Sequence, residues 1–292
     1  MGNGAHPREL AVTDGEFTFT WSDFRQIAEL VHSEAGIVLA ETKANLVYSR
    51  LAKRLRAIGL RSFREYCVLI EGANGTDERQ AMIAAMTTNV TRFFREPHHF
   101  EYLKKRVFPA KLEAARTGAK LRIWSAGTSS GEEAYSIALS ALEVMPEAAG
   151  LDLLILATDI DPEMLRRGRA GVYPSRQLGD VPMELRRRWF RPLARPNETD
   201  FECVPELRAM VRFKELNLLR DWPMAGRFDI VFCRNVMIYF DEATQNEIWA
   251  RFAGVLCPGG ILCIGHSERI AVANHPFDLV GQTIYRRQGA AS

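Results

Sequence analysis

From residue 120 onward the chain alternates apolar strand-like runs with helical ones. "LRIWSAG" is followed by a helical stretch over 131–145, "LDLLILATD" by another over 162–170, and "FDIVFCRN" by a third over 241–256. "MVRFKELN", "GILCIGH" and "TIYRR" add further strand-like runs. Strands that are apolar at successive positions, rather than at alternate ones, are buried on both faces. Separated by helices, they imply a parallel sheet wound in both directions, an α/β domain. The stretch 172–210 breaks the alternation. It holds Pro174, Pro182, Pro192, Pro196 and Pro205 among scattered polar residues, and a connection that long is expected to be a small inserted subdomain.

The first part of the chain has a different period. Residues 1–14 are polar and glycine-containing, and are expected to be a disordered lead-in. Over 15–88 the pattern is helical. Val47, Leu51, Leu55 and Ile58 recur at helical spacing and predict one apolar face, and Gly59 stands where a helix ends. "SFREYCVLI" and "DERQAMIAAM" predict two more helices. The boundaries expected are therefore a helical domain over 15–88 and an α/β domain over 89–292.

Composition narrows the class. A net charge of +2 excludes a chain that is basic throughout, but residues 41–64 hold seven Lys/Arg against one acid, Glu41. The five cysteines are odd in number, far apart and without metal-binding spacing. They read as free thiols in a reducing compartment. The N-terminus lacks the apolar core of a signal peptide, and no apolar run approaches the roughly 18–20 residues needed to cross a bilayer. A cytoplasmic protein, not inserted in a membrane, is expected. Nothing in the pattern suggests a coiled coil, and a monomer is expected.

The turn after the first long strand, Gly127–Thr128–Ser129–Ser130–Gly131–Glu132–Glu133, lies where a doubly wound sheet binds ligands. It is not the GxGxxG of a dinucleotide site, and two carboxylates in the first helical turn would repel a pyrophosphate. A ligand with hydroxyls and an ammonium group, such as S-adenosylmethionine, suits them. On the turn alone, the reading in which Glu132 and Glu133 complement the helix dipole stands equally well. Asp159, at the end of the next strand, is placed to accept from ribose hydroxyls, whereas Asp161 before Pro162 reads as a helix cap. Asn235 and Tyr239 fall just past the end of "FDIVFC". Either could be a turn or packing residue; their convergence on one crevice favours a site. His98 and His99 read as surface residues at a helix start after Pro97, and His266 as structural.

"TTNVTRFFREPHHFEYL", "RIWSAGTSSGEEAYSIAL", "ATDIDPEML", "FDIVFCRNVMIYFD" and "GGILCIGHSE" occur in this order and spacing, and together resemble the chemotaxis protein methyltransferases, the CheR family. The resemblance runs from about Thr18 to Arg287. It implies a methyltransferase (Rossmann-like) sheet with a small β-subdomain inserted at about 172–210, behind an all-helical domain. It implies transfer of methyl from S-adenosylmethionine to glutamate side chains of chemoreceptors, leaving S-adenosylhomocysteine and requiring no metal. By the same resemblance Asn89, Thr91 and Arg95 sit at the cofactor and the reacting centre. Glu133 faces the cofactor's amino-acid end, Asp159 its ribose, and Asn217 and Leu218 its adenine. Asn235 and Val236 line the pocket, with Tyr239 near the transferred methyl.

The acceptor carboxylate is already anionic at neutral pH, so no general base is needed and positioning is expected to dominate. Arg95 has the planar fork to hold a carboxylate. Lys43, Arg50 and Arg54 fall within about 40° of one another at 100° per residue. The resemblance gives that face a partner, the glutamate-rich cytoplasmic helices of receptors; a solvated face is the alternative. The patch lacks the interleaved aromatics of a nucleic-acid binder, and no nucleic-acid partner is expected. Some family members tether a receptor's C-terminal pentapeptide at the inserted subdomain through a glycine-bearing loop. "RPLARPNETDFECVP" has no glycine, so a tether-independent member is expected. Rival readings are a methyltransferase of another acceptor and a non-catalytic scaffold that senses the cofactor.

Overall fold

The structure, a computed structural model, describes residues 11–13, 15–194, 199–270 and 276–289. The chain divides into two compact units. One comprises the residues up to Thr88 together with Tyr239–Asp241, and the other Asn89–Ile238 and the residues from Glu242 onward.

The first unit is helical: α1 (Trp21–Ala35), α2 (Ala44–Ile58), α3 (Phe63–Glu71) and α4 (Thr76–Met86), preceded by two short strands, β1 (Ala11–Thr13) and β2 (Phe19–Thr20). The strands pair antiparallel, so the expected lead-in stops short of residue 11; residues 1–10 and 14 lie outside the described residues. Local chemistry sets the helix ends. Thr20 accepts from the Asp23 N–H at 3.2 Å while the Asp23 carboxylate accepts from the Thr20 N–H at 2.9 Å, a reciprocal cap. Gly59 ends α2 in the left-handed region at φ 74°. Val47, Leu51 and Leu55 are fully buried, as their spacing predicts, but Ile58 is exposed, because it falls in the last turn beyond the core. The Tyr239–Asp241 segment is bound into this unit: the Val38 N–H donates to the Tyr239 carbonyl at 2.9 Å.

The second unit begins with α5 (His98–Tyr102) and α6 (Phe108–Arg116), then alternates β3 (Leu121–Ala126), α7 (Glu132–Val144), β4 (Leu153–Asp159) and α8 (Pro162–Ala170). The inserted segment follows: β5 (Val172–Pro174), α9 (Met183–Trp189), β6 (Phe190–Ala194), β7 (Thr199–Cys203) and α10 (Pro205–Ala209). β8 (Val211–Glu215), β9 (Phe228–Cys233), α11 (Glu242–Val255), β10 (Leu256–Ile264), β11 (Phe277–Gly281) and β12 (Ile284–Arg287) complete it. Among the described residues the main sheet has seven strands in the order β11-β12-β10-β9-β3-β4-β8. The five from β10 to β8 are parallel, and β12 is antiparallel to β10. β5, β7 and β6 form a separate antiparallel sheet, the inserted subdomain expected from the break in alternation.

Successive side chains of β3 face opposite ways, as strand geometry requires. Ile123 joins the core cluster with Ile137 and Ala138 of α7 and Ile155 of β4, whereas Trp124 meets the Phe252 ring of α11 at 5.2 Å between centroids. The chain runs β3, β4, β8 outward to one side, then returns to build β9 and β10 on the other. The order reverses between β3 and β9, the place where such sheets bind ligands. Among the described residues no helix is long and apolar enough to cross a membrane.

Candidate functional site

The carboxyl ends of three strands are level at the reversal. Ala126 pairs with Thr158 on β4 and with Cys233 on β9. The turn after β3 is strapped to β4, since the N–H groups of Gly127 and Thr128 both donate to the Thr158 carbonyl, at 2.8 and 2.9 Å. Both turn glycines answer to protein contacts. Gly127 sits at φ 75°, and a Cβ there would lie 2.3 Å from Val236 Cγ2; at Gly131, φ 96°, it would lie 3.1 Å from the Gly168 Cα. Close approach is thus required, as the small residues predict, but it is β9's loop and α8 that approach.

Asp159 is nearly fully buried. It accepts from the Ser129 N–H at 2.7 Å and from the Asp161 N–H at 3.0 Å. Burial pushes its carboxyl up to about 6 against these hydrogen bonds. Asp161 is the helix cap it was expected to be: it accepts from the N–H groups of Glu163 and Met164, and its second oxygen accepts from the Asn89 side-chain amide at 2.9 Å.

The two glutamates are held inside the protein. Glu132 accepts from the Ser130 hydroxyl at 2.7 Å. Glu133 accepts from the Ser125 hydroxyl at 2.8 Å and pairs with Arg234 at 2.9 Å. Burial raises the Glu133 carboxyl, opposed by Arg234 and Ser125. The cation that the double glutamate implied is, for Glu133, a side chain of this chain.

Arg234, directly after β9, is the buried charge at this site that the sequence reading missed. Its side chain is 3% exposed. One terminal nitrogen pairs with Glu133; the other donates to the Arg95 carbonyl and lies 3.3 Å from Glu96. Glu96 also accepts from His266 Nδ1 at 2.9 Å. Burial favours its neutral form, but Arg234 and His266 together outweigh burial and the carboxyl sits below its ordinary range. The Arg95 loop is strained on either side of Arg95: Phe94 at φ 51° and Glu96 at φ 56° are left-handed without being glycine. The Phe94 N–H is held by the Ser136 hydroxyl at 2.9 Å. Arg95 itself is half-buried and donates to the Val90 carbonyl at 2.8 Å. Among the described residues no carboxylate lies within ion-pair distance of its guanidinium.

The remaining predicted residues are placed as follows. Thr91 is half-buried in the segment before the Arg95 loop. Asn217 closes a turn by accepting from the Leu219 N–H at 3.0 Å, and the buried Leu218 offers its carbonyl to Trp222 and Arg251. Asn235 is left-handed at φ 59°. The N–H groups of Val236 and Met237 both donate to the buried Glu268 at 2.9 Å, which also accepts from the Gly265 N–H. Glu268 therefore fixes the segment after β9, a second role not legible beforehand. Tyr239 belongs to the helical unit, where its hydroxyl accepts from the Thr88 N–H at 3.2 Å.

The expected docking face is divided. Arg50 donates to the carbonyls of Ala85, Met86 and Thr87 and to the Thr88 hydroxyl, which ends α4. Arg54 forms a two-pronged pair with Glu78, at 3.0 and 2.6 Å, and Glu78 also accepts from Tyr66. These two are structural within the unit, because arginines beside an apolar face reach the neighbouring helix. Lys43 alone of the three is exposed.

His99 corrects a surface expectation: it is fully buried, with Nε2 2.9 Å from the Thr283 hydroxyl. Burial, reinforced by Arg234 and His98, lowers it to about 3. Ligating atoms of Glu96, His98 and His99 lie within 4.8 Å of one another, but the Arg234 guanidinium already supplies the positive charge beside Glu96. In the inserted segment, Met183, Arg186 and Arg187 of α9 and Phe190, Pro192 and Phe201 of the sheet line a cavity of about 470 Å³.

The crevice at the strand ends fits an adenosyl ligand by its donors and acceptors. Among the described residues the buried Thr128 hydroxyl has no hydrogen-bond partner. Asp159 has acceptor lone pairs beyond the bonds it accepts from Ser129 and Asp161. Asn217, Leu218, Asn235 and Val236 lie on the loops that continue β8 and β9 past the same ends.

Comparison with known proteins gives two matches to one family. "CheR methyltransferase, all-alpha domain" covers residues 22–87, and "CheR methyltransferase, SAM binding domain" covers 89–286. A "Probable chemotaxis protein methyltransferase" of Rhizobium etli is 50% identical over 258 residues, 88% of this chain and 96% of that one. "Chemotaxis protein methyltransferase 2" of Pseudomonas aeruginosa is 44% identical, over 92% of this chain and 94% of that one. The "Chemotaxis protein methyltransferase" of Escherichia coli is 42% identical, over 90% and 89%.

Proposed function

The chain belongs to the CheR methyltransferase family, and on that premise we propose that it methylates glutamate side-chain carboxylates of chemoreceptors, with S-adenosylmethionine as donor and S-adenosylhomocysteine as product. The observation that supports the acceptor's chemistry is Arg95. The charged groups around it, Arg234, Glu96 and Glu133, are paired with one another, while its guanidinium meets no carboxylate among the described residues. A half-buried guanidinium without an ion pair among the described residues, on a strained and rigidly held loop, is suited to hold one oxygen of an incoming carboxylate.

The donor supplies a methyl group already activated on a sulfonium. The chain's own task is then alignment and exclusion of water. Arg95 binds the acceptor carboxylate through one oxygen and leaves the other to attack. Asp159 and the Thr128 hydroxyl hold the ribose side of the donor; Asn217 and Leu218 hold the adenine; Asn235 and Val236 wall the pocket. Glu133 faces the donor's ammonium with its charge already half committed to Arg234. Asn89 steadies this arrangement through Asp161. Tyr239 is the candidate for orienting the transferred methyl, through a hydroxyl that also accepts from the Thr88 N–H. Lys43 contributes to steering acidic receptor helices.

Calorimetry with S-adenosylhomocysteine, followed by transfer of tritiated methyl to receptor-containing membranes, tests the reading. Binding with base-labile label on the receptor is expected. Arg95→Ala is expected to keep the affinity for S-adenosylhomocysteine within about threefold and to lower transfer about 100-fold. Full transfer by that variant removes Arg95 from the reacting centre. Binding by the parent protein without label leaves another acceptor, or a scaffold that only senses the cofactor.

A further inference from the structure

We infer that Arg234 is a positioning residue for methyl transfer, acting through Arg95; the inference rests on the role proposed above for Arg95. Four observations converge on it. Arg234 joins three segments of the second unit: the end of β9, on which it sits; the first turn of α7, through Glu133; and the Arg95 loop, through the Arg95 carbonyl and Glu96. Its side chain is almost completely buried, so these contacts are not loosened by solvent.

The loop it holds is strained. Left-handed φ at both Phe94 and Glu96 persists only where surrounding contacts over-determine the backbone. Those contacts are the Ser136 hydroxyl on the Phe94 N–H, Arg234 on the Arg95 carbonyl, and Arg234 with His266 on the Glu96 carboxylate. Arg234 supplies two of them. A carbonyl pinned at Arg95 fixes the direction in which the Arg95 side chain leaves the backbone, and therefore where its guanidinium meets an acceptor.

The contacts also specify arginine rather than charge. Two separate nitrogens engage Glu133 and the Arg95 carbonyl at the same time. A lysine ammonium offers one nitrogen on a flexible stem and cannot span both. Arg234→Lys therefore keeps the buried charge balance with Glu96 and Glu133 but gives up the fork. Arg234 is not assigned contact with donor or acceptor.

The test is a double-variant cycle on the full-length protein. Receptor methylation is measured for the parent, Arg234→Lys, Arg95→Ala and the double variant, with every rate divided by the number of sites that S-adenosylhomocysteine titrates. That division confines the comparison to folded molecules even if Arg234→Lys lowers the yield. Arg234→Lys is expected to lower transfer about 10- to 100-fold, with KM for the receptor raised and KM for the donor within about threefold of the parent's. In the Arg95→Ala background the same substitution is expected to change the rate less than about twofold. Equal losses in both backgrounds, or a loss confined to donor affinity, overturn the inference and leave Arg234 as a general support of the fold. Transfer by Arg234→Lys at the parent rate overturns it as well. A parent protein that binds S-adenosylhomocysteine but labels no receptor glutamate overturns the proposed function itself, and is seen before any variant is compared.

Discussion

Replacing Asp159 with asparagine separates two properties that the structure couples. Burial raises the carboxyl from 3.8 to about 6. The folded protein thus holds this proton more tightly than the unfolded chain does. The group's contribution to stability therefore falls as pH rises from about 4 to about 6, and above pH 6 the full cost, about 3 kcal/mol, is present. Asparagine carries no charge and removes that cost. It also keeps only one acceptor oxygen, so either the Ser129 or the Asp161 N–H is left facing an amide NH2, at about 1–3 kcal/mol. The two effects nearly cancel at pH 7.5. At pH 4.5, where only about 1 kcal/mol of the parent's cost is present, the variant is less stable by up to about 2 kcal/mol. Urea unfolding of both proteins between pH 4.5 and 7.5 measures this. The difference between variant and parent should move in the variant's favour by about 2 kcal/mol across that range. A difference that is flat, or that moves the other way, refutes the claim that burial outweighs the two hydrogen bonds. Calorimetry supplies the second readout: loss of the carboxylate acceptor should weaken S-adenosylhomocysteine binding about 10-fold or more. Unchanged affinity removes Asp159 from the ribose.

Two further substitutions test the frame around the site. Gly127→Ala places a Cβ 2.3 Å from Val236 Cγ2 at φ 75°; it should cost about 1–3 kcal/mol in unfolding experiments and weaken S-adenosylhomocysteine binding as the loop after β9 is pushed aside. Parent-like stability and binding would show that the two loops are not packed as described. On α2, Arg50→Glu should lower the unfolding free energy by about 2 kcal/mol, because three carbonyls at the end of α4 lose their donor and face a carboxylate, whereas Lys43→Glu should leave stability unchanged and raise KM for receptor methylation at low salt. Equal stability of the two variants would return Arg50 to a solvated face.

What was legible in the sequence was whatever depends on near neighbours. Continuous apolar runs gave β3, β4 and β9 because both faces of those strands are covered, and the caps at Asp161 and Gly59 followed from backbone chemistry a few residues long. β1, β2 and β11 went unseen, since two to five residues carry no such run. Ile58 kept the helical spacing yet lies outside the core, because spacing says where a residue points and not where the neighbouring helix stops.

The site divides in the same way. The turn glycines, Asp159 and the motif around Asn235 announced a ligand crevice, and the family resemblance named it. Which charges are free within it was not in the motifs. Arg234 meets Glu133 across 101 residues of chain and the Arg95 carbonyl across 139, and Arg50 and Arg54 find their partners on another helix 24 to 38 residues away. A residue's type and spacing fix its charge and the face it occupies. Only the packed structure decides whether that charge is already spent, because in a buried site the energy of a charge depends on what lies within a few ångströms rather than on its place in the chain.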